Sequence, residues 1–273
     1  MELDCPWCGR PHLGFNTRSR VFSCWYCGKK KTDETLGRLL GVHTDSELQT
    51  ILRKYSTDVP VSAGPRVIET PVGGKYIEPA NIPLTRAHGD YLRRRGFNPK
   101  ELVEKWGISS VPGWEPLLGN RVLMPLTFDG VKVSWQARTV FPDVEPRYLT
   151  ASKDQEQVHH KDLVYGWDYA SLLGRAVLVE GPMDAWKLGP GAVHGFGVQL
   201  MAAQVRLLSQ LDEVFVVFDS EPKAQTIGRD IARQLAALGT RAEYVDLETS
   251  KDPGELSMEE GQTVMNELMG EHR

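Results

Sequence analysis

Residues 171–247 have the most regular hydrophobic pattern of the chain, because short apolar runs alternate there with stretches of helical spacing. The pattern predicts strands at 176–180, 192–196, 214–219 and 241–247, and helices at about 200–211 and 224–238. Unbroken apolar runs of this length are typical of strands that are buried on both faces. We therefore predict a parallel sheet with helices on both faces, so that the fold class is α/β, and α+β for the chain as a whole.

Residues 76–170 have a mixed pattern, which predicts a separate α+β subdomain ahead of this sheet. A helix is predicted at about 85–106, and strands are predicted at 121–128 and 131–138. Asp129-Gly130 separates the two strands, and this dipeptide between apolar runs is a strong signal for a β-hairpin.

The segments on either side of this body have simpler patterns. Apolar residues at helical spacing predict short helices within 34–55. Residues 56–75 are rich in Ser, Pro and Gly, which predicts a flexible linker. A last, acidic helix is predicted near 259–269.

Composition is ordinary for a globular protein, with 41% apolar and 25% charged residues among 273. The longest apolar runs are only strand-sized, so we predict a cytoplasmic protein without a membrane partner. The net charge of −4 hides an asymmetry, because residues 1–31 carry six basic side chains and residues 240–273 carry nine acidic ones. This polarity indicates different partners for the two ends, with solvated surface as the simpler alternative.

All four cysteines lie near the N-terminus in two CxxC pairs, which are Cys5 with Cys8 and Cys24 with Cys27. Two such pairs at short separation predict one structural, four-thiolate zinc site, and hence a zinc ribbon over residues 1–33. Zinc would supply the folding energy that so small a segment cannot obtain from a hydrophobic core. The alternative is a pair of disulfides, which a cytosolic location disfavours.

The predicted ribbon carries aromatic residues among its basic ones. The aromatic residues are Trp7, Phe15, Phe22, Trp25 and Tyr26. Aromatic rings that stack on bases, interleaved with cations that contact phosphates, favour binding of single-stranded nucleic acid. The alternative is that about half of these rings form the small core of the ribbon.

Acidic residues follow several of the predicted strands. Glu180 ends one strand and Asp184 lies four residues further on, Asp219 and Glu221 end another, and Asp252 follows the last. The carboxyl ends of parallel strands meet at one edge of a sheet, so these carboxylates are expected to converge. Oxygen ligands without nearby His or Cys favour Mg²⁺ or Mn²⁺. A single acid at a strand end is more simply a helix N-cap, and this alternative applies to Asp184.

Several short motifs together resemble a known family. EGPMD at 180–184 and the acidic pair in VVFDSE look like the signature of a Toprim domain, and the motifs around them resemble DnaG-type bacterial and phage primases. These motifs, in chain order, are YLRRRGF, GNRVLMPLTFDG, WQAR, PRYLTA, HKDLVYG and KDPGEL. The cysteine-rich segment ahead of them resembles the template-reading zinc ribbon of that family.

The resemblance implies a primase that makes short RNA primers on single-stranded DNA from nucleoside triphosphates. Asp219 and Glu221 would hold the catalytic Mg²⁺ or Mn²⁺ with Asp252 close by, Glu180 would be a metal ligand or the general base, and Asp184 would complete the site. Four basic residues would bind the triphosphate or the template, namely Arg121, Arg138, Lys161 and Lys223. The family usually has Asp-x-Asp, whereas this chain has Glu221 at the second position, which affects metal spacing or preference.

The resemblance also divides the chain and suggests partners. The predicted parts are the zinc ribbon at 1–33, short helices and linker at 34–75, a primase-type N-terminal catalytic subdomain at 76–170, a Toprim-like parallel-sheet subdomain at 171–256 and an acidic C-terminal helix at 257–273. A phage origin would place the protein in the host cytoplasm, with a separate replicative helicase as partner. The alternatives are another Toprim enzyme, such as a metal-dependent nuclease, and a non-catalytic zinc-ribbon protein that binds DNA or mediates recombination.

Overall fold

The computed structural model of the chain describes most of its residues. The described residues are 4–10, 13–16, 21–24, 26–42, 44, 46–48, 51, 74–247 and 251–270. Nearly all of the predicted linker at 56–75, and Trp25 of the ribbon, lie outside the described residues. None of the helices in these ranges combines the length and the apolar character that crossing a membrane requires.

The N-terminal unit is a small antiparallel sheet built around the cysteines. Its strands, in the order β1-β2-β3, are β1 (Leu13–Asn16), β2 (Val21–Cys24) and β3 (Gly28–Lys30). Helix α1 (Thr32–Leu40) follows and ends at Gly41, which has a left-handed backbone. Leu13 and Phe22 are buried with two of the cysteines, so apolar packing contributes only a small core here.

The middle unit contains a four-stranded antiparallel sheet in the order β4-β5-β6-β7. Its elements are α2 (Arg86–Arg94), α3 (Pro99–Trp106), β4 (Ser109–Ser110), β5 (Arg121–Phe128), β6 (Val131–Thr139) and β7 (Tyr148–Thr150). The predicted hairpin is confirmed, because β5 pairs with β6 across Asp129 and Gly130. Both turn residues have positive φ, at 55° and 77°, as a two-residue turn of the I′ type requires.

The prediction of one helix at about 85–106 is wrong. The chain turns between α2 and α3, where Gly96 has a φ of 75°. Asn98 then caps α3 through its side chain, which accepts a hydrogen bond from the backbone N–H of Lys100 at 3.1 Å, and Pro99 fills the first helical position. Pro at this position is compatible with a helix start but not with a helix interior, so the sequence contained the signal for the break.

The C-terminal unit is a four-stranded parallel sheet in the order β11-β10-β8-β9. The strands are β8 (Arg175–Val179), β9 (Ala192–His194), β10 (Glu213–Val216) and β11 (Arg241–Tyr244). The helices are α4 (Trp167–Leu173), α5 (Pro182–Leu188), α6 (Ala202–Leu208), α7 (Pro222–Ala237) and α8 (Met258–Met269). Single turns of 3₁₀ helix are formed by His160–Asp162 and Pro253–Glu255.

Two hydrophobic cores cover the two faces of this sheet. Val177 and Phe215 point into one core with Trp186 of α5, whereas Leu178 and Val216 point into the other with Leu235 of α7. Successive residues of a strand point to opposite faces, so a strand with helices on both sides must be apolar throughout. This packing explains the unbroken apolar runs and confirms the predicted α/β class.

The apolar runs overestimate the lengths of three strands. The runs predict strands to Phe196, Asp219 and Leu247, whereas β9 ends at His194, β10 at Val216 and β11 at Tyr244. Val217 and Phe218 remain buried after the strand has ended, because they continue into the two cores. Asp219 therefore lies in the turn between β10 and α7, and Glu221 is the N-cap residue of α7.

Candidate active site

Glu180 and Asp219 follow two neighbouring parallel strands, β8 and β10, at the same edge of the sheet. The Glu180 Oε1 atom accepts a hydrogen bond of 2.9 Å from the backbone N–H of Asp219. This contact ties the two strand ends together and fixes Glu180 beside the turn that carries Asp219. The expected convergence of these two acids is therefore present in the structure.

Asp184 lies in the first turn of α5 and faces the same edge. Its Oδ2 atom accepts a hydrogen bond of 2.8 Å from the backbone N–H of Gly181, which is the N-cap residue, so Asp184 caps this helix from the N3 position and is not itself the N-cap of the simpler alternative. The neighbouring loop packs directly onto the carboxylate, because a Cβ atom at Gly254 would lie 2.5 Å from Asp184 Oδ1. Only glycine fits this approach without movement of Asp184 or of the loop.

Asp252 and Glu221 complete the acidic group. The Asp252 Oδ1 atom accepts hydrogen bonds from the backbone N–H and the hydroxyl of Ser220, at 3.0 and 3.1 Å. Asp252 is thus linked to the turn after β10, although it lies more than 30 residues further along the chain. Glu221 is exposed, and its negative charge acts on the pKa values of both Glu180 and Asp219.

Burial and mutual repulsion raise the pKa values of Glu180, Asp184 and Asp219. Burial, and then the charges of Glu180, Asp184, Asp252 and Glu221, raises the pKa of Asp219 to about 7. Burial raises the pKa of Asp184 to about 6 against the hydrogen bond from Gly181, and burial also raises the pKa of Glu180. Carboxylates so placed resist joint ionisation unless a cation compensates them. The electrostatics of this edge therefore favour the binding of a cation.

The geometry is that of an open cation site and not of a closed cage. Among the described residues, the acids of this edge do not form a group of three whose oxygens all lie within 4.8 Å of one another. Mg²⁺ is commonly held by one or two carboxylates, with water and phosphate oxygens as its other ligands. The hard oxygen donors of this edge are of the type that Mg²⁺ and Mn²⁺ prefer.

Arg138, near the end of β6, is a buried cation close to the acidic group. Its Nε donates a hydrogen bond of 3.1 Å to the Tyr91 hydroxyl, and one of its terminal nitrogens donates to the Tyr148 hydroxyl. The charge of Asp184 in turn contributes to the raised pKa of Tyr148, for which burial is the larger cause. Arg138 is therefore held by two tyrosines on the side of the acidic group where Asp184 lies.

Arg95 also lies near the acids, and the sequence analysis missed it. It stands at the C-terminal end of α2, is exposed, and its charge acts to lower the pKa of Asp184 against the dominant effect of burial. The helix predicted at about 85–106 runs through all three arginines, so it places none of them at a helix end. The sequence signal for the position of Arg95 was Gly96. A glycine marks the end of a helix, and the last side chains of a helix that ends at a turn lie next to a neighbouring element.

The other three predicted basic residues have different environments. Arg121 is 3% exposed and donates to the carbonyls of Arg147 and Pro146, at 3.1 and 2.9 Å, so its guanidinium anchors the loop ahead of β7. Lys161 is exposed on the 3₁₀ helix His160–Asp162. Lys223 is exposed in the first turn of α7, two residues after Glu221.

The four cysteines form the candidate metal centre of the ribbon. Their sulfur atoms all lie within 4.8 Å of one another, with Cys5 Sγ 3.6 Å from Cys27 Sγ and Cys8 Sγ 3.5 Å from Cys24 Sγ. A tetrahedron with Zn–S bonds of about 2.3 Å has sulfurs about 3.8 Å apart, so the spacing fits zinc. All four are free thiols, so the disulfide alternative is wrong.

Backbone hydrogen bonds favour the thiolate form of one cysteine of this group, Cys5. Burial acts to raise the pKa of Cys5, but hydrogen bonds from the backbone of Trp7 and Cys8 outweigh it and lower this pKa to about 7. Burial and the neighbouring thiols raise the pKa of Cys27. One sulfur is thus ready to bind a cation, and the ion would compensate the charge of the rest.

The aromatic residues of the ribbon divide between core and surface. Phe22 is 4% exposed and packs at a tilt of 40° against Phe15, whose ring centroid is 4.6 Å away. Trp7 is more than a third exposed, and the guanidinium of Arg38 lies 3.8 Å above its ring. The ribbon packs on the body through β1, because a Cβ atom at Gly14 would lie 3.5 Å from Leu172 Cδ1 of α4.

The chain thus combines three parts in order, namely a four-thiolate ribbon, an antiparallel unit and a parallel sheet with acids at one edge. This combination of fold and sites defines a class of protein. No protein-family model matches the sequence, and no curated protein matches it. Solved structures do match. The zinc-binding and RNA polymerase domains of the Aquifex aeolicus primase match with a TM-score of 0.59 at 17% identity, over 98% of this chain and 77% of that one.

A second solved structure matches the body of the chain. The catalytic core of DnaG matches with a TM-score of 0.57 at 20% identity, over 69% of this chain and 73% of that one. The fold of this protein is therefore that of the DnaG-type primases. The sequence resemblance to that family is confirmed at the level of the fold.

Proposed function

We propose that the protein is a DNA primase that synthesises short RNA primers on single-stranded DNA by metal-dependent nucleotidyl transfer. One observation carries the proposal, namely the convergence of Glu180, Asp184, Asp219 and Asp252 at the carboxyl edge of β8 and β10. The fold shared with primase catalytic domains supports it. In the proposed reaction, a 3′-hydroxyl attacks the α-phosphate of a nucleoside triphosphate, and pyrophosphate leaves.

The acids would hold Mg²⁺ or Mn²⁺ and manage the proton of the attacking hydroxyl. Asp219, Glu221 and Glu180 are the proposed metal ligands, with Asp252 beside them. The bound cation would supply charge stabilisation at the phosphoryl oxygens. Asp184 stands apart as a carboxyl group with a pKa of about 6, close to the pH at which a general base works best, so we assign proton acceptance to Asp184 or to Glu180.

The basic residues would bind the triphosphate and the template. Arg138 is fixed by Tyr91 and Tyr148, so its guanidinium would be pre-positioned for a phosphate bound beside Asp184. Arg95 is a second cation on that side. Lys161 and Lys223 are exposed and are assigned to the template or to the triphosphate. Arg121 is assigned a supporting part, because its guanidinium holds the loop ahead of β7.

The ribbon would hold one structural zinc and contact the template through exposed rings such as Trp7, next to Lys30 and Arg38. This assignment includes the division of the chain predicted above, with a Toprim-type unit at 171–256. It also includes a phage origin and a separate replicative helicase as partner, which follow from the resemblance.

Primer synthesis in the presence of labelled nucleoside triphosphates tests the proposal. The full chain, single-stranded DNA and Mg²⁺ or Mn²⁺ are expected to give template-dependent short RNA. Asp219→Ala removes a central carboxylate, worth about 4 kcal/mol of transition-state stabilisation, so its rate should fall roughly 1,000-fold. Asp230→Ala is the matched control, because Asp230 is an exposed acid of α7 that pairs with Arg233.

The other possible functions give different results in the same assay. Shortened DNA without RNA synthesis would indicate a metal-dependent nuclease. DNA binding that is equal in the wild type and in Asp219→Ala, without any product, would indicate a non-catalytic binding protein. Either result would contradict the primase proposal.

A further inference from the structure

A second group of metal-binding side chains lies outside both sites described so far. Glu156 and His159 lie between β7 and the 3₁₀ helix that carries Lys161, and His160 is the first residue of that helix. One ligand atom of each residue lies within 4.8 Å of the other two. The His160 Nδ1 atom is 3.0 Å from Glu156 Oε2, and the His159 Nδ1 atom is hydrogen-bonded to Glu156 Oε1.

Glu156 is unusual because it is a carboxylate that is only 2% exposed and contacts two imidazoles. The Ser134 hydroxyl and the backbone N–H of His160 also donate to its Oε2 atom, at 2.8 and 2.9 Å. These two contacts already fix the carboxylate against β6 and the loop. The two imidazoles then add their Nδ1 atoms on different oxygens, His159 at Oε1 and His160 at Oε2, although Oε2 already accepts two hydrogen bonds without His160.

We propose that Glu156, His159 and His160 bind a divalent transition-metal ion of the zinc class. Two imidazole nitrogens and one carboxylate form a donor set that zinc accepts, and they leave a fourth position for water or another ligand. Ser134 would act on the ion indirectly, by orienting the ligating carboxylate. The ring of His159 is 37% exposed, so an ion can enter from solvent.

Coordination exchanges these hydrogen bonds for metal bonds. A carboxylate only accepts hydrogen bonds, so each Nδ1 atom that faces Glu156 carries a proton, and a ring that coordinates through Nδ1 can hold a proton only at Nε2. When the Nδ1 lone pairs bind the ion, the protons of His159 and His160 move to the Nε2 atoms. The change of tautomer gives a signature in the ¹⁵N chemical shifts of the two rings that a purely structural network would not give.

The site differs from the ribbon in donor type, and this difference separates the two ions experimentally. The thiolates of the ribbon give Co²⁺ an intense near-ultraviolet charge-transfer band, whereas a site of imidazole and carboxylate gives only weaker visible bands. A second equivalent of Co²⁺ should therefore add visible absorption without adding to the thiolate band. Its binding does not depend on primer synthesis, so failure of this proposal and failure of the proposed function are distinguishable.

Metal content of the full chain decides the question. The protein is loaded with Zn²⁺, passed through metal-free buffer and analysed for zinc per chain by mass spectrometry. The wild type is expected to hold two zinc ions, and His159→Ala should hold one. His159 is partly exposed, so its replacement should leave the fold intact. Gln157→Ala is the matched control in the same loop and should keep two.

A second variant protects the test against a local folding defect. Glu156→Gln keeps the volume of the buried side chain and removes its charge, so it should also lower the zinc content from two ions to one. If the wild type holds a single zinc, or if both variants match it, the cluster is only a hydrogen-bond network and the proposal is wrong. Unchanged ¹⁵N shifts of His159 and His160 on addition of Zn²⁺ would also overturn it.

Discussion

The ribbon cysteines and the sheet-edge carboxylates differ in how closely their ligand atoms are assembled. The four sulfurs all lie within 4.8 Å of one another, whereas no three of the described acids at the sheet edge meet that limit. The sulfurs come from two local CxxC turns, the second of which belongs to the β2–β3 hairpin, and the carboxylates come from three segments that are far apart in sequence. A closed set of ligands suits a structural ion, and an open set leaves positions for water and substrate.

The two regions also differ in what holds them together without the ion. The ribbon has a core of a few residues, so its folding energy has to come largely from zinc. The carboxylates stand on a sheet with a hydrophobic core on each face, so their positions persist without a cation. Removal of the ion should therefore unfold the first region and should leave the second folded but electrostatically strained.

Loss of the ribbon zinc is expected to have the largest effect. Cys24→Ser removes one ligand of a site whose binding supplies about 10 kcal/mol in small zinc modules. Residues 4–30 should lose their protection from hydrogen exchange, and residues 74–247 should keep it. Ser23→Ala, at a neighbouring position that is not a ligand, should change neither. A ribbon that stays protected in Cys24→Ser would contradict the zinc-dependent fold.

Asp219→Asn is expected to raise stability while it removes activity. The folded pKa of Asp219 is about 7, above its value of about 3.9 in an unfolded chain. Folding therefore takes up a proton at pH values between these two pKa values. The free energy of unfolding falls as the pH rises through this interval, because the folded carboxyl group must ionise, and the loss is complete above the folded pKa. With the cost discounted for partial exposure to about 1 kcal/mol, Asn should raise Tm by roughly 2–4 °C at pH 8.

The pH dependence and the response to Mg²⁺ check this explanation. The gain in Tm should shrink as the pH falls from 8 to 5, because Asp219 then becomes protonated in the folded wild type. Mg²⁺ should raise Tm of the wild type more than that of Asp219→Asn, because the ion relieves the same repulsion. A gain that is constant over this pH range would show that the electrostatic cause is wrong.

Gly254→Ala is expected to affect the acidic edge alone. The new Cβ atom would lie 2.5 Å from Asp184 Oδ1, so the carboxylate or the loop with Asp252 must move. A displacement of about 1 Å at a catalytic group costs roughly 100-fold in rate, and primer synthesis measures it. Gly37→Ala in α1 is the control, because its Cβ atom has an ordinary contact of 3.4 Å. Equal activity of both variants would show that the contact of Gly254 does not influence the acidic site.

The sequence predicted which residues make up the two sites but not all of the geometry of these sites. The cysteine spacing sufficed for the ribbon, because each CxxC turn is local. The apolar runs located Glu180 and Asp219, because strands buried on both faces end where the polar residues begin. The structure brings Asp219 and Glu221 to one site, but the expected reason is wrong, since β10 ends at Val216 and a turn and a helix start place the two acids.

The contacts that were missed depend on tertiary packing. Arg95 approaches Asp184 because α2 ends beside α5, and no pattern within either helix encodes that proximity. The contact of Gly254 with Asp184 joins segments that are 70 residues apart, so the glycine by itself signalled only a turn. The histidines beside Glu156 lie in a loop, where side-chain direction follows no period. These features are set by which elements pack together.

Glu221→Asp is the smallest change, and it tests how open the carboxylate site is. Glu221 is exposed at the N-cap of α7, and its carboxylate adds charge to the site from one methylene further than an Asp would. Shortening it keeps the charge and moves the oxygens by about 1.5 Å. Mg²⁺ demands near-ideal octahedral geometry, whereas Mn²⁺ is less strict, so the ratio of activities with the two ions should shift by about 3- to 10-fold with little loss of total activity.

Primer synthesis in parallel titrations with each ion measures the ratio, and Glu243→Asp, at an exposed acid of β11, serves as the control. A ratio that stays at the wild-type value would mean that Glu221 does not contact the ion, so that Asp219 and Glu180 alone would remain as its protein ligands.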